Sequence, residues 1–340
     1  MNSNRRNFIS VLNVVACLAV VLLHANGVFW EFSYERYWNT ANLIECICYF
    51  AVPVFFMNSG VTLIDYRKRY DTKTYVKKRI GKTLIPFLAW SLIGVSYCII
   101  SGKVDTENLS LKAVIDSILN TQYVSVYWFF IALFTVYLCI PVLGVIPEEK
   151  RKKVFGYVII LSFVLNILYP FLCSFTGIWY NNGIAMPLGN NYLIYVLLGY
   201  CMDRYEIPGK MKKAIYGLGL LGFLMHWLGT WYWSREAGEI VQFFKGYLNV
   251  PCVLYSSAVF LAVRSLSLPE IVVKISDKVS RLTFGIYLIH WYLLDCILTY
   301  TSVNRYSIVY RLLGGVVVFV LSGILTKMIK KVPVVKVLIP

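Results

Sequence analysis

Apolar runs of roughly twenty residues, separated by short polar connections, govern what this 340-residue chain can fold into. A helix rises about 1.5 Å per residue, so about twenty residues cross the roughly 30 Å hydrocarbon core of a bilayer. Ten such segments lie near 8–28, 43–64, 83–101, 126–146, 154–173, 185–202, 214–233, 247–264, 282–300 and 307–326. Charged residues are only 15% of the chain and hydrophobic ones 59%, too little charge to cover a soluble surface. The pattern predicts an all-α integral membrane protein. It reads as a single bundle of about ten transmembrane helices over residues 1–340, with the N- and C-termini cytoplasmic.

A net charge of +16 would point to nucleic acid in a soluble protein, but its placement points to a membrane instead. With the N-terminus inside, the predicted cytoplasmic segments hold 26 of the 33 Lys and Arg residues. These include Arg5 and Arg6, eight residues between Arg67 and Lys82, and four each in 150–153, 204–213, 264–281 and 327–336. The external loops keep Arg36, Lys103, Lys112, Arg235, Lys245, Arg305 and Arg311. This bias follows the positive-inside rule, and no nucleic-acid partner is expected.

The first segment is too long for a typical signal h-region and lacks a small-x-small cleavage site, so it reads as a retained helix. The nine cysteines lie in or beside apolar segments without zinc or CxxC spacing; they read as small buried hydrophobes, and no metal is expected. Two segments do not span. Residues 265–281 place Ile271, Val272, Ile275 and Val279 at helical spacing among Lys274, Lys278 and Arg281, which suits a helix on the cytoplasmic membrane surface. Residues 327–340 form a cytoplasmic tail of mixed lysines and valines. Both serve well enough as plain anchors.

Chemistry inside a membrane should show as ionisable residues where they are expensive. His24 lies about sixteen residues into the first segment, roughly 24 Å along it, and so in the outer half. Glu45 starts the second segment at similar depth. A His24–Glu45 pair can orient the imidazole and make it a base for an attacking hydroxyl. The residues fit equally a packed histidine with Glu45 among the headgroups. His290, with Asp295 further along, reads as a cavity-lining support, whereas His226 reads as structural. Asn13, Asn58, Ser59 and Asn166 add polar groups that packing alone also explains.

On the cytoplasmic side, Lys78, Arg79 and Lys82 precede Pro86. Arg79 and Lys82 share a face if helical and can grip phosphates, Arg with two oxygens at once and Lys as a point charge. From the charges alone, an ordinary flank on anionic lipid is the better reading.

Six stretches in sequence order resemble the integral-membrane acyltransferase type three family, which includes bacterial enzymes that O-acetylate surface sugars. They are AVVLLH ending at His24; FAVPVFFMNSG ending at Gly60; KRIGK from Lys78 to Lys82 with Pro86; Trp128, Phe129 and Phe130 with Tyr137 and Pro141; YVLLGY ending at Tyr200; and FGIYLIH ending at His290. Together they cover nearly the whole chain. The resemblance implies acetyl-CoA as donor, a glycan or lipid-linked sugar as acceptor, membrane lipid around the chain, and a multi-pass place in the bacterial cell membrane. It makes His24 the catalytic base, and Arg79 and Lys82 candidates for the donor's phosphates. The chain departs from the pattern at three positions. Asn13 stands where many members have Arg, Pro53 where many have Asp, and Lys82 where RxxR has its second Arg.

The expected function is therefore membrane-bound O-acyl transfer to a sugar hydroxyl. A different class is an exporter of a glycan or amino acid, because the same motifs occur in proteins proposed to move substrates and in the membrane part of some serine racemases. A third is a scaffold whose histidines only pack. No racemase or extracellular esterase-like domain is expected on this chain. The external loops near 102–125, 174–190 and 234–246, together with the segment end before the last of them, offer Trp179, Asn181, Asn182, Tyr232 and Trp233 as sugar contacts, although Trp and Tyr also favour membrane interfaces.

Overall fold

The computed structural model describes residues 3–104, 109–189, 192–333 and 335–340, with no strand among them. Outside the described residues lie 105–108 and 190–191 of the sugar-contact loops, residue 334 of the tail, and the side chains at positions 5 and 6.

Helix α1 (Ser3–Ala25) leads to α2 (Arg36–Cys48) and α3 (Ala51–Leu63), one long apolar stretch broken at 49–50. Pro53 accounts for the break: it offers no N–H to the carbonyl of Tyr49 and its ring crowds that carbonyl. Next come α4 (Thr72–Arg79), α5 (Ile85–Ile100), α6 (Leu111–Leu119), α7 (Trp128–Gly144), α8 (Glu148–Phe163) and α9 (Tyr169–Thr176). Wide π turns at Ile80–Leu84 and Val164–Leu168 join α4 to α5 and α8 to α9. Each lies just ahead of a proline, Pro86 or Pro170, where a regular turn would lose its bond and clash. The chain continues through α10 (Leu193–Arg204), α11 (Gly209–Leu224), α12 (Thr230–Ala237), α13 (Val250–Ser265), α14 (Glu270–Ser280), α15 (Thr283–Tyr300) and α16 (Gly315–Ile329).

Each of the ten apolar segments holds helix. Among the described residues, six stretches are long and apolar enough to cross a membrane: Asn7–Ala25, Arg36–Lys68, Thr72–Ile100, Ser125–Gly144, Glu148–Thr176 and Tyr310–Ile329. Helices α14 and α15, bent by 65°, make a seventh if they form one span. The chain is a multi-pass helical membrane protein.

Helix α1 packs against α2, α3, α13, α14, α15 and α16, so it runs through the centre. The α2–α3 stretch is 78% buried over its most apolar window, whereas Glu148–Thr176 is 22% buried and turns Tyr157 and Ile160 outward. Three segments show contacts or helix that the sequence pattern alone does not reveal. The 102–125 loop contains α6, whose exposed Leu111, Ile115 and Leu119 recur every four residues and form the apolar stripe of an interfacial helix. Helix α14 exposes Ile271, Val272 and Ile275, yet its other side packs on α1. The tail folds back under the bundle: the Trp90 indole donates to the Leu338 carbonyl at 3.1 Å, and Ile339 is buried.

The tightest crossing is between α3 and α10. A Cβ on Gly60 would fall on the Val196 carbonyl, and one on Gly199 on the Met57 carbonyl. Small residues thus let the two backbones touch, the usual way helices associate where lipid provides no hydrophobic drive. Gly60→Leu or Gly199→Leu should cost about 1–3 kcal/mol or more. A lowered melting midpoint and loss of monodispersity in detergent would register it. Gly217→Ala, which points into open space, should leave both unchanged.

Candidate active site

Asn13 and His24 are eleven residues apart on α1, three full turns, and so share one face about 16 Å apart. Two separate features occupy the ends of that face.

At the far end, His24 is exposed while Leu23 and Ala25 on either side are buried. Gly27 is exposed as well, with open space beside it. His24 is thus accessible even though α1 packs against six other helices. The His24 ring lies 5.2 Å from the ring of His290, which is fully buried on α15. Nδ1 of His290 sits 2.7 Å from the Tyr287 carbonyl. A carbonyl only accepts, so Nδ1 carries the hydrogen and Nε2 keeps a lone pair. That Nε2 is buried and unpartnered among the described residues.

At the near end lies a cavity of about 320 Å³. Asn13 and Ile9 of α1, Asn58 and Ser59 of α3, and Arg79 and Lys82 all line it. Asn58 donates to Asn13 Oδ1 at 2.8 Å, leaving its own Oδ1 buried without a partner. The Arg79 guanidinium lies 5.2 Å from the Tyr137 ring, and its Nε is likewise buried and unpartnered. Lys82 sits in the π turn with its side chain exposed. The far wall is aromatic: Phe129, Phe130, Phe284 and Tyr287. Tyr287 also lies 5.6 Å from the His290 ring, so its side chain touches both the cavity and the buried histidine. Its hydroxyl donates to the Val126 carbonyl.

Five of the six resembling stretches therefore supply residues to the cavity or the histidine pair, while the sixth, Tyr195–Tyr200, packs on α3. The model of an acyltransferase domain, the acyltransferase 3 family, matches residues 6–327. The chain belongs to this family. No curated protein and no solved structure matches it. It is a membrane acyltransferase in the general sense that the family carries.

Two expected site residues of this acyltransferase lie elsewhere. Lys78 is not on the cavity wall; its ammonium sits 3.8 Å over the Tyr70 ring. Glu45 does not pair with His24. Its carboxylate meets Lys245 at 3.0 Å, with both side chains almost fully buried. The Lys245 ammonium also lies 4.2 Å from the Phe29 ring and 4.5 Å from the Tyr49 ring. His226, buried against Tyr49 at 4.8 Å, belongs to this second cluster. Lys245 escaped sequence reasoning because it reads as an ordinary loop lysine 200 positions from its partner. Asp295 is also engaged away from the histidines, accepting from Tyr97 at 2.6 Å and pairing with Lys103. Of the proposed sugar contacts, Trp179 stands free at 96% exposure, whereas Trp233 stacks on Phe243.

Removing one partner of a buried pair strands the other charge. Glu45→Gln should therefore cost about 3–5 kcal/mol of stability, while Glu45→Met with Lys245→Met should stay near wild type. Thermal melts in detergent give the comparison. A doubly substituted protein that keeps its stability but loses acyl transfer would return Glu45 to the reaction.

Proposed function

We propose that this acyltransferase moves an acetyl group from acetyl-CoA to a hydroxyl of a cell-surface or lipid-linked sugar, with His24 as general base. The observation that carries the reading is the exposure of His24 within the bundle, beside a histidine whose hydrogen is already committed. The charge pattern supports the orientation: ten crossings, the basic end and both termini in the cytoplasm of a bacterial cell, and His24 toward the outside. On that orientation the Arg79 cavity faces the compartment that supplies the donor.

The orphaned Arg79 Nε and the exposed Lys82 ammonium are donors without acceptors, and a diphosphate provides acceptors. Lys82 contributes a point charge in place of a forked contact. Asn13 and Asn58 offer amide contacts further along, suited to a slender polar chain extending from the phosphates toward His24. Asn13 adds no charge there, so the charged grip rests on Arg79 and Lys82.

His24 takes the proton of the acceptor hydroxyl as its oxygen bonds to the thioester carbonyl carbon. Collapse of the tetrahedral centre breaks the carbon–sulfur bond, and the imidazolium returns the proton to the departing thiolate. The products are an acetyl ester and free CoA thiol. The Nε2 lone pair of His290, directly or through one water, accepts the N–H of His24. This leaves the other nitrogen of His24 basic toward the acceptor.

Purified protein given radiolabelled acetyl-CoA and membranes tests the reading. Label should pass to a membrane or surface glycan with equal release of thiol. His24→Ala should lower transfer about 10²–10⁴-fold with normal folding. His290→Gln should reduce kcat more than donor KM. Arg79→Ala should raise donor KM chiefly. Transport of a glycan or amino acid without thiol release would favour the exporter instead, and undiminished transfer by folded His24→Ala protein would remove the base.

A further inference from the structure

A second hollow lies well apart from the Arg79 cavity, on the outer side of the bundle. Helix α8 packs on α10, and α11 packs on α13, while α8 and α11 make no extensive contact with each other. The gap between them is a groove of about 640 Å³. Its walls are Ile160 and Phe163 of α8 and Ile215 and Leu218 of α11, with Leu198 and Leu254 in its floor. Gly156 lies in the α8 wall, and a Cβ added there would meet nothing.

Two features define the occupant. The first is length. Along α8 and into the π turn after it, the lining runs from Lys152 to Val164, thirteen residues that rise about 18 Å, close to the roughly 15 Å hydrocarbon depth of one leaflet. The second is charge. Lys152 closes the basic end of the groove, its ammonium 5.6 Å from the Tyr205 ring. Lys150 and Lys153 flank it on α8, and Lys210, Lys212 and Lys213 open α11 opposite. Against these six lysines stand the exposed Glu149 and Glu206 and the partly buried Asp203, while Glu148 is held by Lys68. Arg151, between them in sequence, is buried and committed to Asp65.

We propose that this groove is a binding site for an anionic phospholipid of the leaflet at the basic end. One acyl chain lies between α8 and α11, and the phosphate rests on Lys152 and the lysines around it. A surface charge of this kind attracts anionic headgroups, and the absent side chain at Gly156 makes room for the chain. The site is independent of the transfer chemistry.

Native mass spectrometry of the full chain, released from micelles holding equal phosphatidylglycerol and phosphatidylcholine, tests it. One phosphatidylglycerol should remain bound per chain in preference to phosphatidylcholine. Gly156→Trp should abolish retention of both lipids. Lys152→Ala should reduce the preference for phosphatidylglycerol about fivefold, while a lipid chain is still retained. Should Gly156→Trp fail to give monodisperse protein, Leu218→Trp obstructs the groove from the opposite wall and should act the same way. Equal retention of the two lipids, retention untouched by the obstructing variant, or a lipid-free pair of chains would each overturn the proposal.

Discussion

The contact between α3 and α10 at Gly60 and Gly199 sets the geometry on which the rest depends. With no side chain on either glycine, each backbone lies against the other, and the rotation of α3 about its axis is fixed. That rotation turns Asn58 toward Asn13 on α1 and Ser59 toward the cavity. It also fixes what happens past the crossing. Asp65, five residues after Gly60, meets Arg204, five residues after Gly199, and Arg151 closes the same cluster while donating to the Tyr200 hydroxyl at 3.0 Å. A half-buried carboxylate held by two guanidinium groups locks the register of two helices whose apolar surfaces alone would allow sliding. The crossing is thus maintained at both levels, by shape at the glycines and by charge at the helix ends.

Much of the site was legible because a bilayer makes polarity expensive. His24, His290, Asn13, Asn58 and Ser59 stand out within apolar runs, and the structure puts them along one axis. Arg79 and Lys82 were legible as a pair at helical spacing. Lys78, one residue earlier, points some 100° away around the helix and finds Tyr70, a partner no local pattern announces. Glu45 illustrates the same limit. Its depth was readable, but its partner enters from a loop that the charge count assigned to water. The aromatic box of Phe29 and Tyr49 that makes burial of Lys245 tolerable is assembled only in three dimensions.

Elements that neither span nor carry chemistry were harder to read. Helix α6 shows its period in Leu111, Ile115 and Leu119, but it is nine residues long and sits among aromatic and amide residues. Length is the strongest cue for membrane helices, and α6 fails it. The π turns were hidden for the opposite reason, since helical sequence continues through them, with polar residues such as Lys82 and Asn166 inside. Pro86 and Pro170 mark two of them, whereas those at Met225–Gly229 and Tyr310–Gly314 have no proline just after them.

Transfer between compartments requires that two substrates meet while water and ions do not cross. The axis along α1 has the parts for such a meeting. A polar cavity with unpartnered donors lies at one end, an exposed imidazole at the other, and Tyr287 between them touches both the cavity and His290. Because Tyr287 hydrogen-bonds a backbone carbonyl in place of a charged group, moving it aside leaves no buried ion unpaired. It would cost about 1–3 kcal/mol, because the Val126 carbonyl loses its buried donor, and less if an arriving chain supplies a donor in its place. Under the proposed function, a barrier of that size is small beside the binding energy that a phosphate-bearing donor would gain from Arg79 and Lys82. On the same proposal, a donor held in the basic cavity would press on the same Tyr287 ring that touches His290, so the two ends of the axis share one side chain.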